Sequence, residues 1–249
     1  MIFAFGPNQS YYFNNGDGKA YWENLPEKLE KLLKEEKHYV AKHVKCLNLF
    51  PNGGWYIQGE KDHDSYDIPE KINAAIIANY GTKATITNIE VDATNIDRFY
   101  IGTTHTDTIY AHDMPHDCLM TALAMGPRGG FSKVSLGHNG TWVLIGPALN
   151  NYNISDEMTK YMRKDPDHIV NVVLSPYDSQ HGFIEYHNGN FDAFLPEQWH
   201  AHVDELKHSK TSIFLHSVAQ NEIFQAVVAG LAKKAEGNIK SDIKSAFAK

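Results

Sequence analysis

The sequence predicts a mainly β protein with short helices, folded as a six-repeat closed toroid that is β-propeller-like, with about three strands and one short helix in each blade. Three observations predict this fold class. A polar turn followed by an aromatic residue recurs along the chain, and a helix-start motif recurs with nearly the same period. Hydrophobic residues make up 42% of the 249 residues, which is sufficient for a buried core.

The first recurring element is a β-hairpin with a tight polar turn. Its copies lie at residues 7–11, 51–55, 95–99, 138–142, 179–183 and 220–224. The aromatic residues that end these copies are separated by 41 to 44 residues. Asn-Gly or Gly between two alternating apolar runs favours a hairpin, because both residues tolerate a positive φ. Each copy therefore predicts two paired strands.

The second recurring element is a short helix that begins after an apolar residue, often with proline next and an acid in the first turn. Its copies begin at residues 25, 68, 114, 154, 195 and 239, at intervals of 40 to 46 residues. Proline and acids suit a helix N-terminus. Helical spacing predicts a buried face on these helices, formed by Leu29, Leu32 and Leu33; Ile72, Ala75 and Ile76; Leu119, Ala122 and Leu123; Met158, Tyr161 and Met162; and Ile243, Ala246 and Phe247.

The two elements together define the repeating unit. Third-strand candidates lie between hairpin and helix, at residues 19–22, 108–111 and 190–194. One such unit cannot cover its own apolar face, so neighbouring units must cover it, and closure avoids the polar caps that an open stack needs. We expect a single domain over 1–249, with repeats at about 1–42, 43–85, 86–130, 131–168, 169–210 and 211–249. The alternative for residues 218–231 is one continuous helix.

The pattern from Gly6 to Leu32 resembles a known type of repeat. It runs GPN-x-S-Y-Y-F, then GDG-x-x-x-W, then LP-x-x-L-x-x-L. It is similar to the tandem units of many uncharacterised fungal proteins, which carry LGPNGSYFV, DG, W and LP in this order, and the first two units match best. More loosely it is similar to tectonin-type propeller lectins, although Tyr, Phe and helices replace most of their Trp-rich strands. The fungal resemblance implies no activity, and the lectin resemblance implies carbohydrate binding on a propeller.

Composition and charge limit the classes of partner. The net charge of −7 argues against a nucleic-acid surface, which needs clustered Lys and Arg. No apolar run reaches the roughly 20 residues that span a bilayer. The first residues have no basic segment followed by a long apolar one, so we expect no signal peptide. Cys46 and Cys118 lie in apolar segments, which is typical of buried thiols in a reducing compartment. We expect a cytoplasmic protein with no membrane or nucleic-acid partner.

The candidate binding residues lie in the loops after the second strand of each unit. These loops differ from unit to unit and are rich in Asn, Asp, His and Thr, which hydrogen-bond well to hydroxyl groups. The alternative is that they are polar only because they are exposed turns. The residues that we select are Asn15, Asp17, Asp62, Asp64, Thr106, Asp107, Asn150, Asn151, Asn188 and Asn190.

Tryptophans and histidines are further candidates for binding or metal-ligating residues. Trp55, Trp142 and Trp199 occupy recurring positions, so we expect them in the core, and Trp22 is less constrained. The group around His105, His112 and His116 has zinc-ligand chemistry but no compact metal-site spacing, so we predict no metal site and no cofactor. His200 and His202 follow a helix start and are interpreted as structural.

The sequence gives fewer signals for function than for fold. No G-x-S-x-G elbow, P-loop or H-E-x-x-H motif is present, so no catalytic residue is selected. The leading hypothesis is a non-enzymatic binding module, lectin-like or protein-binding, that uses the variable loops to hold a carbohydrate or protein ligand. The alternatives are a structural or self-assembling protein and an enzyme with its site on the loop face. The oligomeric state is left open.

Overall fold

The computed structural model describes residues 1–14, 16, 18–80, 85–104, 110–125, 131–146, 150–165, 168–200 and 213–217. This part of the chain is mainly β, with five separate sheets and four α-helices. The chain divides into two compact units, Met1–His216 and Ser217–Lys249, and only Ser217 of the second belongs to the described residues. The predicted domain and repeat boundaries therefore stay predictions.

Each sheet is formed by strands that are consecutive in the chain. The first two sheets contain β1 (Ile2–Phe5), β2 (Tyr11–Asn14) and β3 (Ala20–Glu23), then β4 (Cys46–Leu49), β5 (Trp55–Gln58) and β6 (His63–Tyr66). The next two contain β7 (Ile86–Asp92), β8 (Asn95–Thr103) and β9 (Tyr110–His112), then β10 (Lys133–Leu136), β11 (Trp142–Ile145) and β12 (Asn150–Asn153). The fifth sheet contains β13 (Ile169–Leu174), β14 (Gly182–Tyr186), β15 (Phe191–Leu195) and β16 (Ile213–Ser217).

The hairpins form where turn chemistry predicts them. The first two strands of each sheet pair antiparallel, with Phe5 opposite Tyr11 and Leu49 opposite Trp55 in the first two sheets. In the fourth hairpin Asn139 and Gly140 have φ of 54° and 75°, the left-handed conformation that Asn and Gly tolerate. Five predicted hairpins are confirmed, and the sixth, at residues 220–224, lies outside the described residues.

The helices follow the third strands of the first four sheets. They are α1 (Glu27–Glu35), α2 (Glu70–Tyr80), α3 (His116–Met125) and α4 (Asp156–Lys164). Proline precedes the first three, and the Ser155 hydroxyl caps α4 by accepting the Met158 N–H at 3.4 Å. The fifth predicted helix start gives a 3₁₀ turn at Glu197–Trp199, and the sixth lies outside the described residues.

The core lies between neighbouring sheets. One cluster joins the first and fifth sheets, and others join the first sheet with the second, the second with the third and the third with the fourth. Trp55, Trp142 and Trp199 are buried in these clusters, as predicted, and the partly buried Trp22 stacks on Tyr12. Neighbouring units therefore cover one another's apolar faces.

The helix faces follow the predicted spacing except in the third unit. Leu29 and Leu33 of α1, Ile72 and Ile76 of α2, and Met158 and Met162 of α4 are buried. The prediction that Leu119 and Leu123 of α3 face the core is wrong, because their exposed fractions are 44% and 64%. Cys118 and Met125 are buried instead, so the buried face of α3 is rotated from the one predicted.

The prediction of a six-repeat closed, propeller-like toroid is wrong. The structure has five separate sheets, and the described residues hold neither a sixth sheet nor a closed toroid. Strand β16 lies within the predicted sixth repeat, before its predicted hairpin turn, but it pairs with β15 as the fourth strand of the fifth sheet. The physical reason is the burial of β15: all five of its residues are buried, and an unpaired edge there would leave N–H and C=O groups without partners.

The described α-helices are short, at 9 to 11 residues. None of them is both long and apolar enough to cross a bilayer.

Candidate functional site

The structure describes six of the ten predicted binding residues. Asn15, Asp17, Thr106 and Asp107 lie outside the described residues. The other six form three pairs, in the second, fourth and fifth units. Each pair lies between the second and third strands of its sheet or at the start of the third strand.

The pair in the second unit shapes its own turn. The Asp62 carbonyl accepts hydrogen bonds from the Gly59 N–H at 2.8 Å and from the Gln58 amide at 3.2 Å. The Asp64 carboxylate accepts the Ser65 N–H at 2.7 Å. Both side chains are exposed, so these interactions fit the alternative that the loop is polar because it is a turn.

The pair in the fourth unit supports β12. Asn150 pairs with Ile145 and Asn151 with Leu144 in the β11–β12 register. The Asn151 amide also points to the Met125 sulfur at 3.5 Å, which connects the strand to the end of α3. Both asparagines are half-buried, and their pairing with β11 and the contact with Met125 stabilise the sheet.

The pair in the fifth unit belongs to a cavity. Asn188 and Asn190 lie in the β14–β15 turn, where the Asn188 side-chain oxygen accepts the Asn190 N–H at 2.9 Å and Gly189 has a φ of 79°. With residues of α4 and the fifth sheet they line a cavity of about 260 Å³, which we call the outer cavity. Its lining residues are Tyr161, Lys164, Asp165, Tyr186, Asn188, Asn190 and Asp192.

Helix α4 supplies one wall of the outer cavity. Tyr161 and Lys164 are three residues apart and so share a face of the helix, and Asp165 follows directly. The Tyr161 ring packs edge-on against Phe194, with ring centres 5.2 Å apart and planes at 72°. This contact fixes the ring while leaving Tyr161 partly exposed to the cavity. The Asp165 carboxylate contacts the His168 imidazole.

Strands β14 and β15 supply the opposite wall. The Tyr186 hydroxyl donates to the Asp192 carboxylate at 2.5 Å, and both residues are buried. Burial is the largest cause of a raised pKa at the Tyr186 phenol, and the hydrogen bond to Asp192 raises it further. The phenol is therefore neutral and holds the carboxylate in place at neutral pH.

The chemistry of the outer cavity suits a ligand with many hydroxyl groups. It combines two phenols, two carboxamides, two carboxylates and one ammonium group. The amides offer both donors and acceptors, the carboxylates accept and the ammonium group donates. An aromatic ring face packs against apolar C–H surfaces. Concave sites with a few convergent polar groups are the usual small-molecule sites.

Sequence reasoning missed five residues of this cavity, namely Tyr161, Lys164, Asp165, Tyr186 and Asp192. Tyr161 was assigned to the apolar face of α4, and Tyr186 lies at the end of a buried strand. Asp192 offered a signal, since it is an acid between Phe191 and Ala193 in an otherwise apolar strand. An acid in such a position needs a polar partner, and Tyr186 provides it.

The histidine group does not converge on a metal in the described residues. His112 contacts the Asp97 carbonyl through Nδ1 at 2.8 Å and stacks on Phe99. His116 is exposed near Asp117, and His105 lies outside the described residues, as does His202. Within the described ranges no group of three or more His, Cys, Asp and Glu is arranged to hold a metal ion. His200 contacts the Leu195 carbonyl at 3.2 Å.

Comparisons with models of known protein families, with curated proteins and with solved structures give no match for this chain. The resemblances to fungal tandem-repeat proteins and to tectonin-type lectins therefore stay predictions.

Proposed function

We propose that this protein is a non-enzymatic binding module that holds a carbohydrate in the outer cavity. The observation that carries the proposal is the meeting of a partly exposed tyrosine ring with amide and carboxylate groups around one space of about 260 Å³. Two of the loop residues selected from the sequence, Asn188 and Asn190, lie in its wall. The volume suits a monosaccharide or the terminal residue of a glycan.

Three features assign roles within the cavity. Tyr161 lies on the helix side and offers a ring face to the C–H surface of a sugar. Asp192 is fixed by Tyr186 and accepts hydrogen bonds from sugar hydroxyls. Lys164 supplies a donor at the end of α4, on the exposed side of the cavity.

The test is binding of the full chain to a glycan array, followed by calorimetry with the best glycan. We expect Tyr161→Ala and Asp192→Asn each to weaken binding about tenfold or more, since each removes a packing or charge-assisted contact. The matched control is Asp64→Asn, which changes a loop aspartate of the second unit that forms its own turn. Circular dichroism verifies that the variants fold.

Two results would contradict the proposal. One is an array without any bound glycan, together with calorimetry that detects no binding of simple sugars. The other is equal affinity in Tyr161→Ala, Asp192→Asn and the Asp64→Asn control, which would place the ligand elsewhere. Release of a shortened glycan on incubation would show an enzyme rather than a binding module.

We also propose that the chain works in the cytoplasm. Cys46 and Cys118 are both free thiols and both buried. Burial raises the pKa of each thiol to about 12, so both stay protonated and unreactive. Imaging of a fluorescent fusion in cells tests this compartment, and a secreted or vesicular signal would contradict it.

A further inference from the structure

A second cavity lies where the first strands of the five sheets come together. Successive first strands contact one another, from β1 to β4, β7, β10 and β13. They line a space of about 110 Å³, which we call the inner cavity. Its polar lining includes Lys45, Asn48, Asn88, Glu90, Lys133 and Asn171. None of these residues belongs to the outer cavity.

Side chains of the first strands connect neighbouring sheets around the inner cavity. The Asn48 amide donates to the Ile89 carbonyl at 2.7 Å, which joins the second sheet to the third. The Glu90 carboxylate accepts the Ser135 hydroxyl at 3.0 Å and the Leu136 N–H at 3.2 Å, which joins the third to the fourth. These bonds hold the polar groups in fixed positions, so the cavity is pre-organised.

Glu90 supplies the negative charge of the inner cavity. Its Oε2 atom accepts both hydrogen bonds from the fourth sheet. Desolvation raises the pKa of this carboxyl to about 7, against the lowering effect of those hydrogen bonds and of Lys133. The charged form therefore lacks solvation, and a cationic group beside it would stabilise it.

Lys133 supplies the positive charge. The other two cationic groups at this cavity have carboxylate partners: Lys45 lies 3.2 Å from Glu60, and the amino group of Met1 lies 3.2 Å from Glu185. Lys133 is half-buried and has no ion pair within the described residues, although its charge acts on Glu90. The two opposite charges thus line one space without contacting each other.

From this arrangement we infer that the inner cavity binds a compact zwitterion, an amino acid with a small side chain such as glycine or alanine. Its ammonium group faces Glu90, its carboxylate faces Lys133, and the amide of Asn171 lies in the same lining. A ligand with a single charge of either sign would meet a like charge in the wall. The volume of about 110 Å³ is somewhat below that of a protein cavity that holds benzene, about 150 Å³, and so fits a molecule of this size.

Calorimetry on the full chain tests the inference with glycine and alanine as probes, and with acetate and methylammonium as probes of one charge each. We expect glycine to bind, and the two single-charge probes to bind about tenfold or more weakly. Glu90→Gln and Lys133→Gln should each reduce glycine affinity by a similar factor. Lys34→Gln, which changes an exposed lysine of α1 that lines neither cavity, is the matched control and should leave it unchanged.

The pH dependence gives an independent readout. The titratable groups that face Glu90 are Lys133 from β10, Tyr100 from β8 and Cys46 from β4. Burial raises the pKa of the Tyr100 phenol and of the Cys46 thiol to about 12, so neither is charged between pH 6 and pH 8. Because the ammonium group of the ligand favours ionised Glu90, glycine affinity should rise from about pH 6 to pH 8 and should not rise in Glu90→Gln.

Three results would overturn the inference: no glycine or alanine binding, acetate or methylammonium binding as tightly as glycine, or unchanged glycine affinity in both Glu90→Gln and Lys133→Gln. Binding of phosphate in place of amino acids would also overturn it. Sugar binding in the outer cavity is measured separately, so either proposal can fail alone. Circular dichroism of both variants excludes loss of folding as the cause of a negative result.

Discussion

Glu90 shows at the scale of one residue how a desolvated carboxyl costs stability. Its carboxyl stands in a first strand between the apolar residues Ile89 and Val91. The corresponding residues before the hairpin turns of other sheets are Asn48 and Ser135, which are neutral. A neutral side chain at this position connects the sheets without a charge that must be desolvated. A carboxyl therefore lowers the stability of the protein by a desolvation cost that a neutral side chain would avoid.

The stability of the protein should therefore depend on pH through Glu90. Its pKa is raised from 4.5 to about 7, so between these values the folded chain holds a proton that the unfolded chain releases. The free energy of unfolding therefore falls as pH rises from about 4.5 to about 7, and above pH 7 this group causes no further change. Glu90→Gln should stabilise the protein by about 1–3 kcal/mol at pH 8 and by little at pH 5. Urea unfolding at the two pH values measures the difference.

Glu60→Gln is the control for this prediction. Glu60 is exposed, and hydrogen bonding and charge interaction with Lys45 lower its pKa, so its contribution to stability has the opposite dependence on pH. Equal effects of Glu90→Gln at pH 5 and pH 8 would show that the carboxyl is not desolvated.

At the scale of elements, the start of helix α4 shows how one side chain determines where a helix begins. Helix α4 begins at a serine whose hydroxyl accepts a backbone N–H that otherwise has no partner. Ser155→Ala should destabilise the protein by about 0.5–2 kcal/mol. Thermal or urea unfolding measures this loss. Ser155→Asp is the matched control, because aspartate keeps the cap and suits the helix dipole, and it should be within a few tenths of a kcal/mol of the original chain. A Ser155→Ala variant as stable as Ser155→Asp would show that the cap contributes nothing.

Elements could be predicted from the sequence where short-range signals determine them. Asn139 and Gly140 set a hairpin through their own backbone preferences, and Ser155 sets a helix start through its own side chain. Pairing between strands that are far apart in the chain has no such short-range signal. The strand β15 carries Phe191, Phe194 and Leu195, whereas the third strand β6 of the second sheet is fully exposed. That apolar composition is the signal that β15 has a further neighbour.

The lack of a short-range signal for tertiary contacts also explains which residues of the two candidate cavities the sequence could not predict. Asn188 and Asn190 were found because loop composition is visible in the sequence. Tyr161 comes from a helix and Asp192 from a strand about thirty residues later, and only packing of α4 on the fifth sheet brings them to one cavity. Glu90 and Lys133 likewise come from different sheets. Residues that meet through tertiary contact have no shared short-range pattern to reveal them.

At the scale of the whole molecule, one aromatic cluster joins residues that are far apart in the chain. Phe3, Phe5 and Phe13 of the first sheet pack with Phe183 and Phe191 of the fifth. The Phe183 ring lies 5.7 Å from Phe3, 5.8 Å from Phe13 and 4.8 Å from Phe191, measured between ring centres. The N-terminal amino group adds an ion pair with Glu185 of the same sheet. The first sheet therefore depends on the fifth for cover.

Phe183→Ala should consequently weaken both sheets together. Phe183 is fully buried, so its removal should cost about 3–5 kcal/mol through lost burial and the cavity left behind. The matched comparison is Ile57→Ala, which removes a fully buried side chain from the cluster between the first and second sheets. Amide hydrogen exchange should show loss of protection in β1 and β2 as well as β14 for Phe183→Ala, while β10 and β11 lose less. Loss of protection confined to the fifth sheet would mean that the first sheet is stable without it. The aromatic cluster would then be only a contact surface, and the first and fifth sheets would not unfold as one cooperative unit.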